Sequence, residues 1–164
     1  MTPLEIAAIL ALTAWAVYRQ TVVAEITLSP ARFRMAAVYA VVGLLVGGFD
    51  LPHGWAGWAM IATGLALSVV VGLVRGRYTR IWAADGRLWR QGTALTVGLF
   101  LGLIAAKFAL GTLAFVWAID DGAGFGEVLI MIAVMIAVQA EIVRGRALAL
   151  VPVAERLGTV SSAD

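Results

Sequence analysis

Cysteine is absent from the 164-residue chain, which excludes disulfides, thiolate metal sites and thiol redox chemistry. Histidine occurs once, as His53, so one subunit cannot supply two imidazoles to a haem. Charge is scarce as well. Asp, Glu, Lys and Arg make up 13% of the residues, about half their share in an ordinary soluble domain. The sequence has no G-x-S-x-G, no H-E-x-x-H, no Walker loop and no Rossmann glycine pattern, and with them go the common signatures of nucleophilic, zinc and nucleotide chemistry. No catalytic residue, metal site or cofactor is indicated. What the chain does contain is apolar: 62% hydrophobic residues and a mean hydropathy of +0.97. A globule of this size cannot hide so much apolar surface. A cytosolic enzyme, a disordered tail and a DNA-binding module are thereby excluded, and a small polytopic membrane protein remains.

Apolar runs long enough to cross ~30 Å of hydrocarbon number five: Leu4–Tyr18, Met35–Phe49, Trp55–Val74, Thr93–Ile119 and Val128–Val143. None alternates with the period of two expected of a barrel strand, so the spans are read as helices in a single all-α integral membrane domain covering residues 1–164. The first two are short and need flanking residues such as Pro3 or Thr21–Val23 to complete a crossing. The fourth is long and must tilt or protrude. Glu5 stands at the start of the first run without a basic n-region or an A-x-A site, so that run reads as a retained helix rather than a cleaved signal.

The 12 Lys and Arg residues orient the spans. Arg19, Arg32 and Arg34 lie in the first connection, Arg75, Arg77, Arg80, Arg87 and Arg90 in the third, and Arg144, Arg146 and Arg156 after the fifth span. The second connection, Asp50–Gly54, and the fourth, Asp120–Glu127, carry acids and no Lys or Arg. The positive-inside rule then places the N-terminus outside and the C-terminus inside a cytoplasmic (plasma) membrane of bacterial type. It also explains a pI near 9.5 without any nucleic-acid partner. Small residues recur at four-residue spacing in Gly43 and Gly47, in Gly64, Ser68 and Gly72, and in Gly98, Gly102 and Ala106. Such stripes let helix backbones approach closely, either within a bundle or in a homo-oligomer.

Lys107, near the middle of the fourth span, is the one basic residue inside a span. An ammonium at that depth costs at least ~2.5–3.5 kcal/mol and marks a functional candidate. Helical geometry places Thr93, Thr96, Phe100, Leu103, Gly111 and Ala114 on its face. Lys107 either lines a polar path with the two threonines, as the site of a small transporter or channel, snorkels to an interface or sits in a structural ion pair. Glu141, the carboxylate well inside the fifth span, is the first candidate partner, and Glu5 the second. Glu141 also stands one turn from Arg144, and an ordinary i,i+3 pair there is slightly preferred. Gln139 lies about 200° round the helix from Glu141. Asp120, Asp121 and Glu127 read as a solvated outer loop. The intramembrane polar candidates are therefore Lys107, Glu141, Gln139 and Thr96.

Between the third and fourth spans, Arg77-Tyr-Thr-Arg80-Ile-Trp82 and Arg87-Leu-Trp89-Arg90 flank Ala83-Ala-Asp85-Gly86, and Asp-Gly signals a two-residue hairpin. The expectation is a short cytoplasmic β-hairpin. Its candidate contact residues are Arg75, Arg77, Arg80, Trp82, Arg87, Trp89 and Arg90, suited to headgroups and anionic lipid or to a membrane-protein partner.

The run Arg80-Ile-Trp-Ala-Ala-Asp-Gly-Arg-Leu-Trp-Arg-Gln-Gly, with Ala106-Lys107-Phe108 in the next span and Leu28-Ser-Pro30-Ala-Arg-Phe33 before the second, resembles the CcdC-like family of small bacterial membrane proteins. The five-span, N-out layout is similar too. That family is named from its association with cytochrome c biogenesis genes, and the resemblance implies an accessory rather than a catalytic role. In a chain without cysteine, a link to cytochrome c maturation would not run through thiol transfer.

Overall fold

Asp85 and Gly86 both adopt positive φ, 52° and 70°, the left-handed pair that defines a type I′ turn and matches the twist of a hairpin. The strands it joins, β2 (Arg80–Ala84) and β3 (Arg87–Gln91), pair antiparallel with Trp82 opposite Trp89 and Ala84 opposite Arg87. This is the expected hairpin, seen here in a computed structural model that describes residues 18, 22–26, 28–47, 54–117 and 125–152. A third strand goes beyond that expectation. β1 (Ala24–Glu25) adds to the free edge of β3, Ala24 opposite Arg90 and Glu25 opposite Trp89, giving the order β1-β3-β2. Val22 and Val23 are exposed and non-helical, so they do not extend a first span. The span Leu4–Tyr18 lies, but for Tyr18, outside the described residues.

Among the described residues four long helices accompany the small sheet, two before β2 and two after β3. Arg34–Gly47 (α1) leaves a 3-10 turn at Pro30–Phe33, Trp55–Tyr78 is α2, Ala94–Val116 is α3 and Phe125–Leu148 is α4. Among the described residues, α2, α3 and α4 are long and apolar enough to cross a membrane, with mean hydropathies of 2.0, 2.1 and 2.0. α1 is described as far as Gly47, and the last two residues of the expected second span, Gly48 and Phe49, lie outside the described residues. The boundaries differ from the sequence reading at several ends. α2 runs four residues past Val74, so Arg75 and Arg77 belong to its last turn rather than to a loop. α3 starts after Thr93, which caps it: the Thr96 amide donates to the Thr93 hydroxyl at 3.4 Å and the Thr93 amide to the Thr96 hydroxyl at 2.9 Å, a reciprocal capping box. α4 begins earlier and ends later than Val128–Val143, and takes Glu127, Arg144 and Arg146 into the helix.

Glycine fixes how α2 meets α4. A Cβ on Gly72 would stand 2.8 Å from the Met135 carbonyl oxygen, and one on Gly76 2.6 Å from Ile142 Cβ. Ser68 continues the row, fully buried, its hydroxyl returned to the Gly64 carbonyl at 2.9 Å. Because 64, 72 and 76 approach 131, 135 and 142 in turn, α2 and α4 run parallel. On the other side of α4, Gly43 of α1 meets the Gly126 carbonyl, while Arg32 reaches Glu141, so α1 is antiparallel to α4. The stripe of α3 behaves differently: Gly98 and Gly102 face nothing within 4 Å among the described residues. Tyr39, Val71, Phe100, Leu103, Leu129, Ile132 and Met135 form the core between the helices. A smaller cluster of Leu88 with Ala147, flanked by Ile26, Ala83 and Leu150, fastens the sheet to the end of α4.

Candidate functional site

One end of this bundle holds every arginine among the described residues: Arg32 and Arg34 before and at the start of α1, Arg75 and Arg77 at the end of α2, Arg80, Arg87 and Arg90 on the sheet, Arg144 and Arg146 at the end of α4. They do three different jobs. Arg146 is structural. Its Nη1 stands 2.7, 2.8 and 2.9 Å from the carbonyl oxygens of Gly76, Arg77 and Thr79, satisfying acceptors that the end of α2 would otherwise leave open. Arg32 and Arg144 converge on the exposed carboxylate of Glu141, at 3.1 and 2.8 Å, so the expected i,i+3 pair forms and Glu141 takes a second cation from across the bundle. The alternative pairing of Glu141 with Lys107 does not form.

The outer face of the sheet carries a second group. Strand alternation puts Arg80, Trp82, Arg87 and Trp89 on one face, with the two tryptophans directly opposed across the ladder. Arg77, Arg80 and Arg87 are exposed, and the Glu25 carboxylate lies 3.7 Å from Arg87 between two well-exposed side chains, an ion pair of little energetic weight.

The third group faces inward. The other side of the sheet, the start of α1, the end of α2, the start of α3 and the middle of α4 line a partly open cavity of about 380 Å³. Arg32, Arg75, Arg90 and Gln139 are among its polar lining residues, and Phe100 and Met135 among its apolar ones. No carboxylate lines it among the described residues. Gln139 donates to the Thr79 hydroxyl at 3.3 Å, so it belongs to this cavity and not to a polar path with Lys107. Arg75, read from the sequence as a loop cation, is only 2% exposed. Its guanidinium lies over the Phe100 ring, 5.4 Å from the centroid, within cation–π range. Nη1 reaches only the Met135 sulfur, at 3.4 Å, and Nε has no partner.

Lys107 sits toward the opposite end. Its helix face is the expected one, since Thr96, Phe100, Leu103, Lys107 and Ala114 are the buried residues of α3. Its partner is neither Glu141 nor, among the described residues, any other anticipated group: Nζ lies 2.6 Å from Glu127 Oε2, both side chains being nearly buried (7% and 12% exposed). Glu127 is thus not in a solvated loop, because the early start of α4 brings it into the bundle. Thr96 does not extend the site either, because its hydroxyl is spent on Thr93, donating to that carbonyl at 2.7 Å. Among the described residues no three His, Asp or Glu side chains gather to hold a metal ion.

No family model, no curated protein and no solved structure matches the chain. Its class rests on the fold: mainly helical, with, among the described residues, three helices long and apolar enough to span a membrane and an arginine-rich three-stranded sheet at one end.

Proposed function

We propose that this chain is a five-span protein of a bacterial cytoplasmic membrane, N-terminus outside and C-terminus inside, with an accessory rather than a catalytic role. Its working surface is the outer face of the sheet, which rests on the anionic inner leaflet. The observation that carries this reading is the segregation of Arg80, Trp82, Arg87 and Trp89 on one side of β2 and β3, flanked by exposed Arg77. Each arginine near an anionic surface contributes about 1 kcal/mol, and tryptophan favours the headgroup layer. The clustering of all described arginines at one end supports the orientation. The resemblance to the CcdC-like family supports the accessory role, and homo-oligomerisation is compatible with it. A transport site at Lys107 finds less support, because its ammonium is already matched by Glu127 at 2.6 Å.

Two measurements test the reading. Ala94→Cys, exposed at the first turn of α3 in a chain without other cysteine, should react with a membrane-impermeant thiol reagent in inverted vesicles and not in intact cells. Arg80→Gln with Arg87→Gln should lower the preference of the reconstituted protein for phosphatidylglycerol over phosphatidylcholine. Labelling from the outside would reverse the orientation, and an unchanged lipid preference would remove the sheet from the function.

A further inference from the structure

The cavity on the inner side of the sheet is independent of the surface just described and poses its own electrostatic problem. Arg75 is a guanidinium withdrawn from water, 2% exposed. Among the described residues it has no carboxylate, only an aromatic face and a thioether. Its Nε is a buried donor with nothing to donate to. Removing a charge from water without a hydrogen-bonded counter-ion is strongly unfavourable, and the ring of Phe100 returns only a small part of that. Arg32 and Arg90 line the same space. The Arg32 charge is shared with Glu141 on the rim, but no acid projects into the cavity among the described residues.

We infer that this cavity is a binding site for a phosphate-type oxyanion, and that the group it takes is the head of an anionic amphiphile. The planar guanidinium fork of Arg75, with its Nε unsatisfied, matches an oxyanion and is the usual choice for phosphate. The volume of about 380 Å³ falls in the range of small-molecule sites, roughly 300–1,000 Å³, so the cavity holds a headgroup with part of what is attached to it. The attachment is apolar. Ile132, Met135 and Phe100 continue the wall from Arg75 into the core between the helices, where a free phosphate would gain nothing and an acyl or prenyl chain would. The site sits where α2 ends and α3 begins, beside the middle of α4, the level at which lipid headgroups meet helices that end at a membrane surface.

The test uses the full chain in detergent, with three probes: inorganic phosphate, a short-chain phosphatidate and a short-chain phosphatidylcholine. Thermal stability and native mass spectrometry report binding. The phosphatidate should raise the melting temperature saturably with one molecule bound, the phosphatidylcholine should not, and inorganic phosphate should act at least tenfold more weakly. Arg75→Met fills the same space without a charge and should fold as well as the parent protein while losing the phosphatidate response by at least tenfold. Arg75→Lys, which keeps the charge but not the fork, should fold and bind with intermediate strength. Arg80→Gln with Arg87→Gln should leave this response unchanged, separating the cavity from the sheet surface. Equal binding of inorganic phosphate would keep the oxyanion site and overturn the amphiphile. A phosphatidate response that survives in Arg75→Met, or none in the parent protein, would overturn the site itself.

Discussion

Replacing Gly76 by alanine measures how tightly α2 and α4 are held. The added Cβ would stand 2.6 Å from Ile142 Cβ and 2.7 Å from its Cγ2, whereas carbon atoms rest at ~3.5–4.0 Å. The neighbour cannot swing aside. Its Cβ is fixed to the α4 backbone and its branched side chain is stiff, so the helices themselves must part by about 1 Å. Overpacking of this kind costs ~1–3 kcal/mol. Against it stands the intrinsic preference of a helix for alanine over glycine, ~1 kcal/mol. Gly76→Ala should therefore fall between neutral and about 2 kcal/mol destabilised.

Gly98 supplies the control. Nothing among the described residues lies within 4 Å of where its added methyl would stand, so Gly98→Ala gains the propensity and meets no contact. Subtracting the two variants cancels propensity and leaves packing alone, an expected difference of ~1–3 kcal/mol. Reversible unfolding in mixed micelles at rising fractions of an ionic detergent, read by tryptophan fluorescence, gives both free energies. Gly64→Ala should fall between them, because its methyl would meet the flexible end of Met131 at 3.0 Å. A difference below about 0.5 kcal/mol, smaller than the overpacking range, would refute the close approach of α2 and α4.

Lys107→Met should destabilise by ~3–5 kcal/mol, since it strands the Glu127 carboxylate among apolar neighbours, and adding Glu127→Leu should recover most of the loss in the same unfolding assay. Lys107→Cys should resist an impermeant thiol reagent from both sides of the membrane; labelling would show that water reaches it and would revive the transport reading. Arg146→Gln removes a charged donor from three carbonyls of the α2 terminus and should cost about 2 kcal/mol, with faster amide exchange at Thr79 and the start of β2. Gly86→Ala forces a side chain into a residue at φ 70° and should cost ~1–2 kcal/mol, visible as weakened hairpin protection.

Sequence reasoning succeeds in this chain where short-range physics decides. Asp85-Gly86 can turn a chain in few ways, and the turn is legible from those two residues. The spacing of Thr96, Phe100, Leu103, Lys107 and Ala114 likewise assigns the buried face of α3 without reference to any partner. The failures lie where a neighbouring element decides. The acids of Asp120–Glu127 argue for a loop, yet the absence of a side chain on Gly43 is what lets α1 meet the Gly126 carbonyl. That contact belongs to a helix already begun, and Glu127 is carried inside with it. β1 is two residues long, too short for any alternation to show. The ends of α2 and α4 escape a hydropathy reading because hydropathy fades at polar residues that a helix accommodates, such as Arg75 and Arg77 near the end of α2 and Arg144 and Arg146 near the end of α4.

The two buried cations among the described residues, Arg75 and Lys107, meet opposite solutions. Lys107 lies deep in a span, where an unmatched charge is least tolerable, and α4 delivers a carboxylate to it; within the chain that pair is electrically complete. Arg75 stands at a helix terminus, where arginine ordinarily reaches past the bundle to water and headgroups. It turns inward instead, against Phe100 and Met135, and among the described residues no acid follows it. Snorkelling would be available to an arginine one turn from the end of α2, as it is to Arg77. That Arg75 forgoes it in favour of a cavity shared with Arg32 and Arg90 makes anion binding a simpler account of its burial than packing alone, and it is the feature that Arg75→Met isolates.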